Sequence, residues 1–145
     1  MRKFTIMLLW CVFAVFAQDS VLFANEAQND TLVVDARIIE IPGTMPPNDL
    51  YNYVYVMKYR VIKVIRGEYS NQEILVGHYN PLIPRRLIKD KMKSVVSGTV
   101  EKFEKGAKHN LVLVEIEKVW NDAVENEYFD SDLPVYFAIT ADKKM

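Results

Sequence analysis

The sequence predicts an all-β protein, a small OB-like barrel of five to six strands, with a β-sandwich as the alternative architecture and little helix. Three observations carry that expectation. Residues 51–66 alternate Tyr51, Tyr53, Tyr55, Met57, Tyr59 and Val61 with Asn52, Val54, Val56, Lys58, Arg60 and Ile62, the two-residue period that sends successive side chains to opposite faces of a strand. A break at Arg66-Gly67-Glu68-Tyr69-Ser70-Asn71 is followed by a second run at 72–79, so the pair reads as a hairpin. Further runs of β-branched residues recur at 31–41, 94–103, 108–119 and 133–140, separated by proline-, glycine- and charge-rich connections.

The first 24 residues stand apart from that pattern. Arg2 and Lys3 precede an almost continuous apolar run from Phe4 to Ala17, the arrangement of a secretory signal peptide and too short for a comfortable membrane span. Cleavage is expected after residue 17, 24 or 27, leaving residues 25–145 as one β-barrel domain, periplasmic or secreted, with no stable membrane span. Cys11 is the single cysteine and leaves with the signal, so the mature domain relies on its apolar core rather than on a disulfide. Asn29-Asp30-Thr31 matches a glycosylation sequon, a frequent chance motif.

Each element follows from its residues. In 31–41, Leu32, Val34, Ala36 and Ile38 share a face, giving a half-buried first strand. Pro42, Pro46 and Pro47 end it in a surface loop, because proline removes a ladder donor. In the long ribbon both faces are apolar before Lys58 and the parity changes by Lys63, which calls for a bulge or strong coiling. Residues 80–93 contain Pro81 and Pro84 and then Arg85, Arg86, Lys89, Lys91 and Lys93 against Asp90, a basic connection with at most a turn or two of helix. Residues 94–103 read as a strand bent at Gly98, and 108–119 as a clear strand. Residues 120–132 form an acidic connection, 133–140 a short last strand, and the remainder a charged tail.

Val54, Tyr59, Val61, Val64, Gly67 and Tyr69, then Glu73-Ile74-Leu75-Val76-Gly77-His78-Tyr79, resemble a class of small exported proteins similar to modules that accompany alginate-acetylase-like SGNH proteins. Lys105-Gly106 followed by Leu111 and Leu113 fits the same turn and strand. Where that class carries an Ala-His-Trp-like triplet, this chain has Gly77-His78-Tyr79. The resemblance implies a periplasmic accessory module near polysaccharide modification. The netrin-like branch of OB folds has a similar strand pattern.

The residues offer few chemical motifs. His78 and His109 are the only histidines and lack the local spacing of a zinc site, so they read as structural or exposed side chains rather than metal ligands. No nucleophile elbow, phosphate-cradling glycine loop or His-Glu-x-x-His is present. Glu125, Glu127, Asp130 and Asp132 read as a solvated loop without the pattern of a calcium site. No catalytic residue, metal or cofactor is implied. A net charge of −1 gives no global field for nucleic acid.

What remains is a binding surface. Arg85, Arg86, Lys89 and Lys91, with Tyr79 and His78 adjoining and Tyr51 and Tyr53 as the exposed end of the tyrosine stripe, form the candidate contact set. The expected partner is an envelope protein or an anionic polysaccharide. The alternatives are a hydrolase or transferase using His78, and a secreted inhibitor presenting the loop Pro42–Asp49.

Overall fold

The computed structural model of the chain describes residues 30–145, and the expected signal segment, its cleavage points and Asn29 lie outside them. Six strands follow in order: β1 (Leu32–Glu40), β2 (Val54–Arg66), β3 (Glu73–Tyr79), β4 (Lys108–Glu115), β5 (Val124–Glu125) and β6 (Val135–Lys144). The only helical elements among the described residues are three short 3₁₀ turns at Arg85–Leu87, Lys91–Ser94 and Ile116–Lys118. The protein is all-β.

The strands form one sheet in the order β1-β4-β6-β3-β2-β5, and β1 also pairs with β2. Five strands therefore make a ring of pairings, with β5 added beside the start of β2. This is a single sheet turned on itself, not two stacked sheets. The expected hairpin is present: β2 and β3 pair antiparallel from Val54 opposite Tyr79 to Arg60 opposite Glu73. Within the ring, β3 and β6 pair in parallel through Leu75–Val135, Val76–Tyr136 and Gly77–Phe137.

β2 serves both its ring neighbours, and β5 besides, because it is long and irregular. β2 spans 13 residues. Its first half faces β3 and its second half faces β1, where Val61 and Lys63 stand opposite consecutive residues Ala36 and Asp35, leaving Ile62 as an extra residue. Ile65 is skipped in the same way between Val64 and Arg66. These bulges let the strand coil from one neighbour to the other. They also account for the parity change: both skipped isoleucines are solvent-exposed.

The ring interior holds Leu32, Val34, Ala36 and Ile38 from β1, Tyr53 just before β2, Tyr55, Met57 and Tyr59 from β2, Ile74 and Val76 from β3, and Leu111 and Leu113 from β4. A second cluster lies on the opposite face, where Val54, Tyr79 and Phe137 meet Ile88, Met92, Val96, Ile116 and Trp120. A smaller one joins Val56 and Leu75 to Tyr128. The first half of β2 is thus buried on both faces, which is why its sequence is apolar at both parities.

Four boundaries differ from the sequence expectation. β2 begins at Val54, not Tyr51. β4 ends at Glu115, where Ile116–Lys118 turns. Residues 94–103 form no strand; they run beside β6 with one bridge, Ser97 to Thr140. Gly98 sits there at φ +129°, and a Cβ on it would lie 2.1 Å from the Ala141 carbonyl oxygen, so the segment presses against β6 where no side chain fits. The last strand continues to Lys144, pairing Asn110 with Asp142 and Lys108 with Lys144. The expected charged tail is ring, and Lys144 bonds the buried Asp35 carboxylate.

Candidate functional site

The basic connection leaves β3 at Asn80, whose φ of +37° turns the chain out of the sheet. Asparagine tolerates that region better than most residues. Its side-chain oxygen accepts from the Tyr53 N–H at 3.1 Å and its amide donates to Asn52 Oδ1 at 2.9 Å. The connection is therefore pinned to the residues just before β2, next to Tyr51. Pro84 leads into the first 3₁₀ turn. Asp90 caps the second: Oδ1 accepts from the Met92 N–H at 2.8 Å, while Oδ2 accepts from the Tyr79 hydroxyl at 2.5 Å. One carboxylate thus ties the turn to β3.

Apolar anchors hold the rest down. Ile88, Met92 and Val96 are buried against Tyr79, Trp120 and Phe137, and burying side chains of that size contributes about 1.5–3 kcal/mol each. Between the anchors, Arg86, Lys89, Lys91 and Lys93 project into solvent. Arg86 donates to Glu101 at 3.1 Å with both side chains mostly exposed, and the Lys91 ammonium lies 5.8 Å from the Trp120 ring centre. Leu82 and Leu87 are exposed among these cations. The result is a cationic ridge on a fixed backbone, interrupted by two apolar side chains.

The candidate residues divide. Arg86, Lys89 and Lys91 are exposed on the ridge. Tyr51 is 41 % exposed, and its hydroxyl donates to Glu125 Oε1 at 2.8 Å; that hydrogen bond raises its pKa. The other four are corrected. Tyr53, His78 and Tyr79 have no exposed surface and Arg85 is 2 % exposed. Tyr53 faces the ring interior and donates to the Pro46 carbonyl at 2.5 Å, which closes the proline loop over the ring. Tyr79 is a buttress under Asp90. None of the four reaches a surface partner.

Arg85 points inward because its backbone N–H donates to the Val100 carbonyl and its Nη2 to the Asn80 and Ile83 carbonyls, both at 2.8 Å. Its guanidinium lies 5.3 Å from the centre of the Phe103 ring. On that same ring rests His78, centroid to centroid 4.2 Å. The Tyr59 hydroxyl stands between the two histidines, 2.8 Å from His78 Nε2 and 3.2 Å from His109 Nδ1. A phenol has one proton, so it donates to one imidazole and accepts from the other. Burial, then the Arg85 charge, then His109, push His78 well below its ordinary pKa. Burial alone brings His109 down to about 4, and burial, opposed by the Arg85 charge, holds Tyr59 well above 10. Burial lowers Arg85 to about 10, so it remains charged at neutral pH.

Part of this cluster had a sequence signal. His78 shares parity with Ile74 and Val76, and His109 with Leu111 and Leu113, so both fall on interior positions. Arg85 had none, because a 3₁₀ turn after two prolines carries no period to read. Among the described residues no three His, Cys, Asp or Glu side chains gather as metal ligands, and no helix is long and apolar enough to cross a membrane. Comparison with known proteins finds no matching family model, no matching curated protein and no matching solved structure.

Proposed function

We propose that this chain is an exported, non-enzymatic binding module of the cell envelope, periplasmic or secreted, that docks on an anionic partner through the 80–93 ridge. The single observation that supports it most is that Arg86, Lys89, Lys91 and Lys93 stand exposed on a backbone fixed by buried Ile88 and Met92 and by the Asp90 cap. Charges held on a rigid support lose less entropy on binding than charges on a free loop. The exposed Leu82 and Leu87 between them suit the apolar edge of an envelope protein or the ring faces of an acidic polysaccharide. The ring of five strands with one parallel closure is read as an OB-like barrel, and the resemblance to modules accompanying SGNH proteins favours a setting near polysaccharide modification. An enzyme built on His78 draws no support from a side chain sealed inside the ring.

The test is retention of the mature domain on immobilised alginate and on an immobilised acidic protein across a salt gradient. Attraction of this kind weakens as salt rises. Replacing Arg86, Lys89, Lys91 and Lys93 together by Ala should release the protein at low salt from whichever matrix holds it. Unchanged retention in that variant, or no retention of the parent on either matrix, refutes the ridge as the contact.

A further inference from the structure

Three of the five N–H groups of Arg85, those on Nε and Nη1, meet no acceptor among the described residues, although the side chain is buried. His78 Nδ1 is likewise buried without a partner. Both groups lie against the Phe103 ring and interact electrostatically. No carboxylate of the described residues stands within ion-pair range of Arg85. A guanidinium held out of water without a counter-charge is strongly unfavourable, and so is each unmade hydrogen bond.

We propose that Arg85 and His78 form an internal binding site for a small monovalent anion, chloride or a short carboxylate such as formate, at the Phe103 side of the ring interior. The anion accepts from Arg85 Nε and Nη1 and supplies the missing negative charge. Charge-assisted bonds of this kind are among the strongest hydrogen bonds in proteins. It also selects a proton arrangement. With the anion present, His78 carries its proton on Nδ1 and donates to it; His78 Nε2 then accepts from the Tyr59 hydroxyl, and His109 Nδ1–H donates to the Tyr59 oxygen. One bound anion thus orders three side chains drawn from β2, β3 and β4. The site is separate from the surface ridge and does not depend on it.

The test follows the imidazole and guanidinium nitrogens by NMR while the intact protein is titrated, in separate arms, with sodium chloride and sodium formate. The expected result is a saturable shift of His78 Nδ1 and Arg85 Nε, with both histidines reporting the tautomers given above. The melting temperature should rise with anion concentration in the manner of a bound ligand. Saturation by chloride alone or formate alone names the source. Arg86→Ala should leave the shift intact, and Arg85→Lys should weaken apparent affinity at least ~10-fold by losing the forked donors. Arg85→Met should abolish saturation; should it fail to fold, the titrations of the parent and Arg85→Lys still decide. No saturable shift in either arm, or one undiminished in Arg85→Lys, overturns the site and leaves water as the partner of these donors.

Discussion

Arg85 and Arg86 are chain neighbours that belong to two different regions. Arg85 enters the polar interior formed by Tyr59, His78 and His109, where each contact is made at near-zero exposure. Arg86 opens the ridge, where its ion pair with Glu101 sits in solvent. The same side-chain chemistry carries opposite energetics in the two places. Inside, a lost partner leaves a buried polar group stranded; outside, water takes its place. The interior therefore specifies the fold, and the ridge is free to vary without unfolding it.

The sharpest way to break that division is to detach the segment joining the two regions. Gly98 lies between Val96, which anchors the ridge, and Val100, which belongs to the ring core. Gly98→Ala forces a Cβ into the Ala141 backbone at positive φ and should cost more than about 3 kcal/mol, read as a lower urea midpoint. Gly106→Ala is the control: it also has positive φ but nothing within 4 Å of a Cβ, so only the conformational cost of about 1–3 kcal/mol remains.

Acid sharpens the comparison from the other side. His109 is held to about 4 by burial, while in the unfolded chain it titrates near 6.5. Between those values the unfolded state binds more protons, so stability must fall as pH drops. It is fully present above about 6.5 and levels off below about 4, and the depressed His78 adds in the same direction. His109 alone should account for a loss on the order of 2 kcal/mol between pH 7.5 and pH 4.5, with His78 deepening it. Asp35, held low by Asn110 and Lys144, adds its share only below its ordinary value. His109→Gln should flatten part of the profile, and a profile flat in the parent would show that the histidines do not titrate as buried groups.

The smallest effect belongs to the ridge. Arg86→Ala removes an ion pair whose partners are 63 % and 64 % exposed and should change stability by less than about 0.5 kcal/mol. A larger change in the urea midpoint would mean that the ridge helps to hold the ring together and that the two regions are not separable.

The legible part of the fold was the part with a period. The 51–79 hairpin, the first strand and the 108–115 strand follow from alternation and turn residues, and the parity change near Lys58–Lys63 marked the bulge at Ile62. Residues 94–103 misled because Val95, Val96 and Val100 look like a strand, whereas Gly98 is needed for close approach to β6. The charged end of β6 misled because Lys143 and Lys144 look solvated, although the backbone still pairs and Asp35 receives Lys144. The candidate surface was half legible for a related reason. Charge runs show where cations are, but not which of two adjacent arginines a pair of backbone carbonyls will draw inward.

The place of β6 in the ring has a consequence for how the protein comes into being. The strand that lies between β3 and β4 follows the other five in the chain, so until residues 135–144 arrive both neighbours present bare hydrogen-bonding edges. Contacts that must wait for distant sequence slow folding and lengthen the exposure of sticky intermediates. Loss of residues 135–144 would remove a whole stave of the ring, and the half-made molecule would be a substrate for chaperones and proteases.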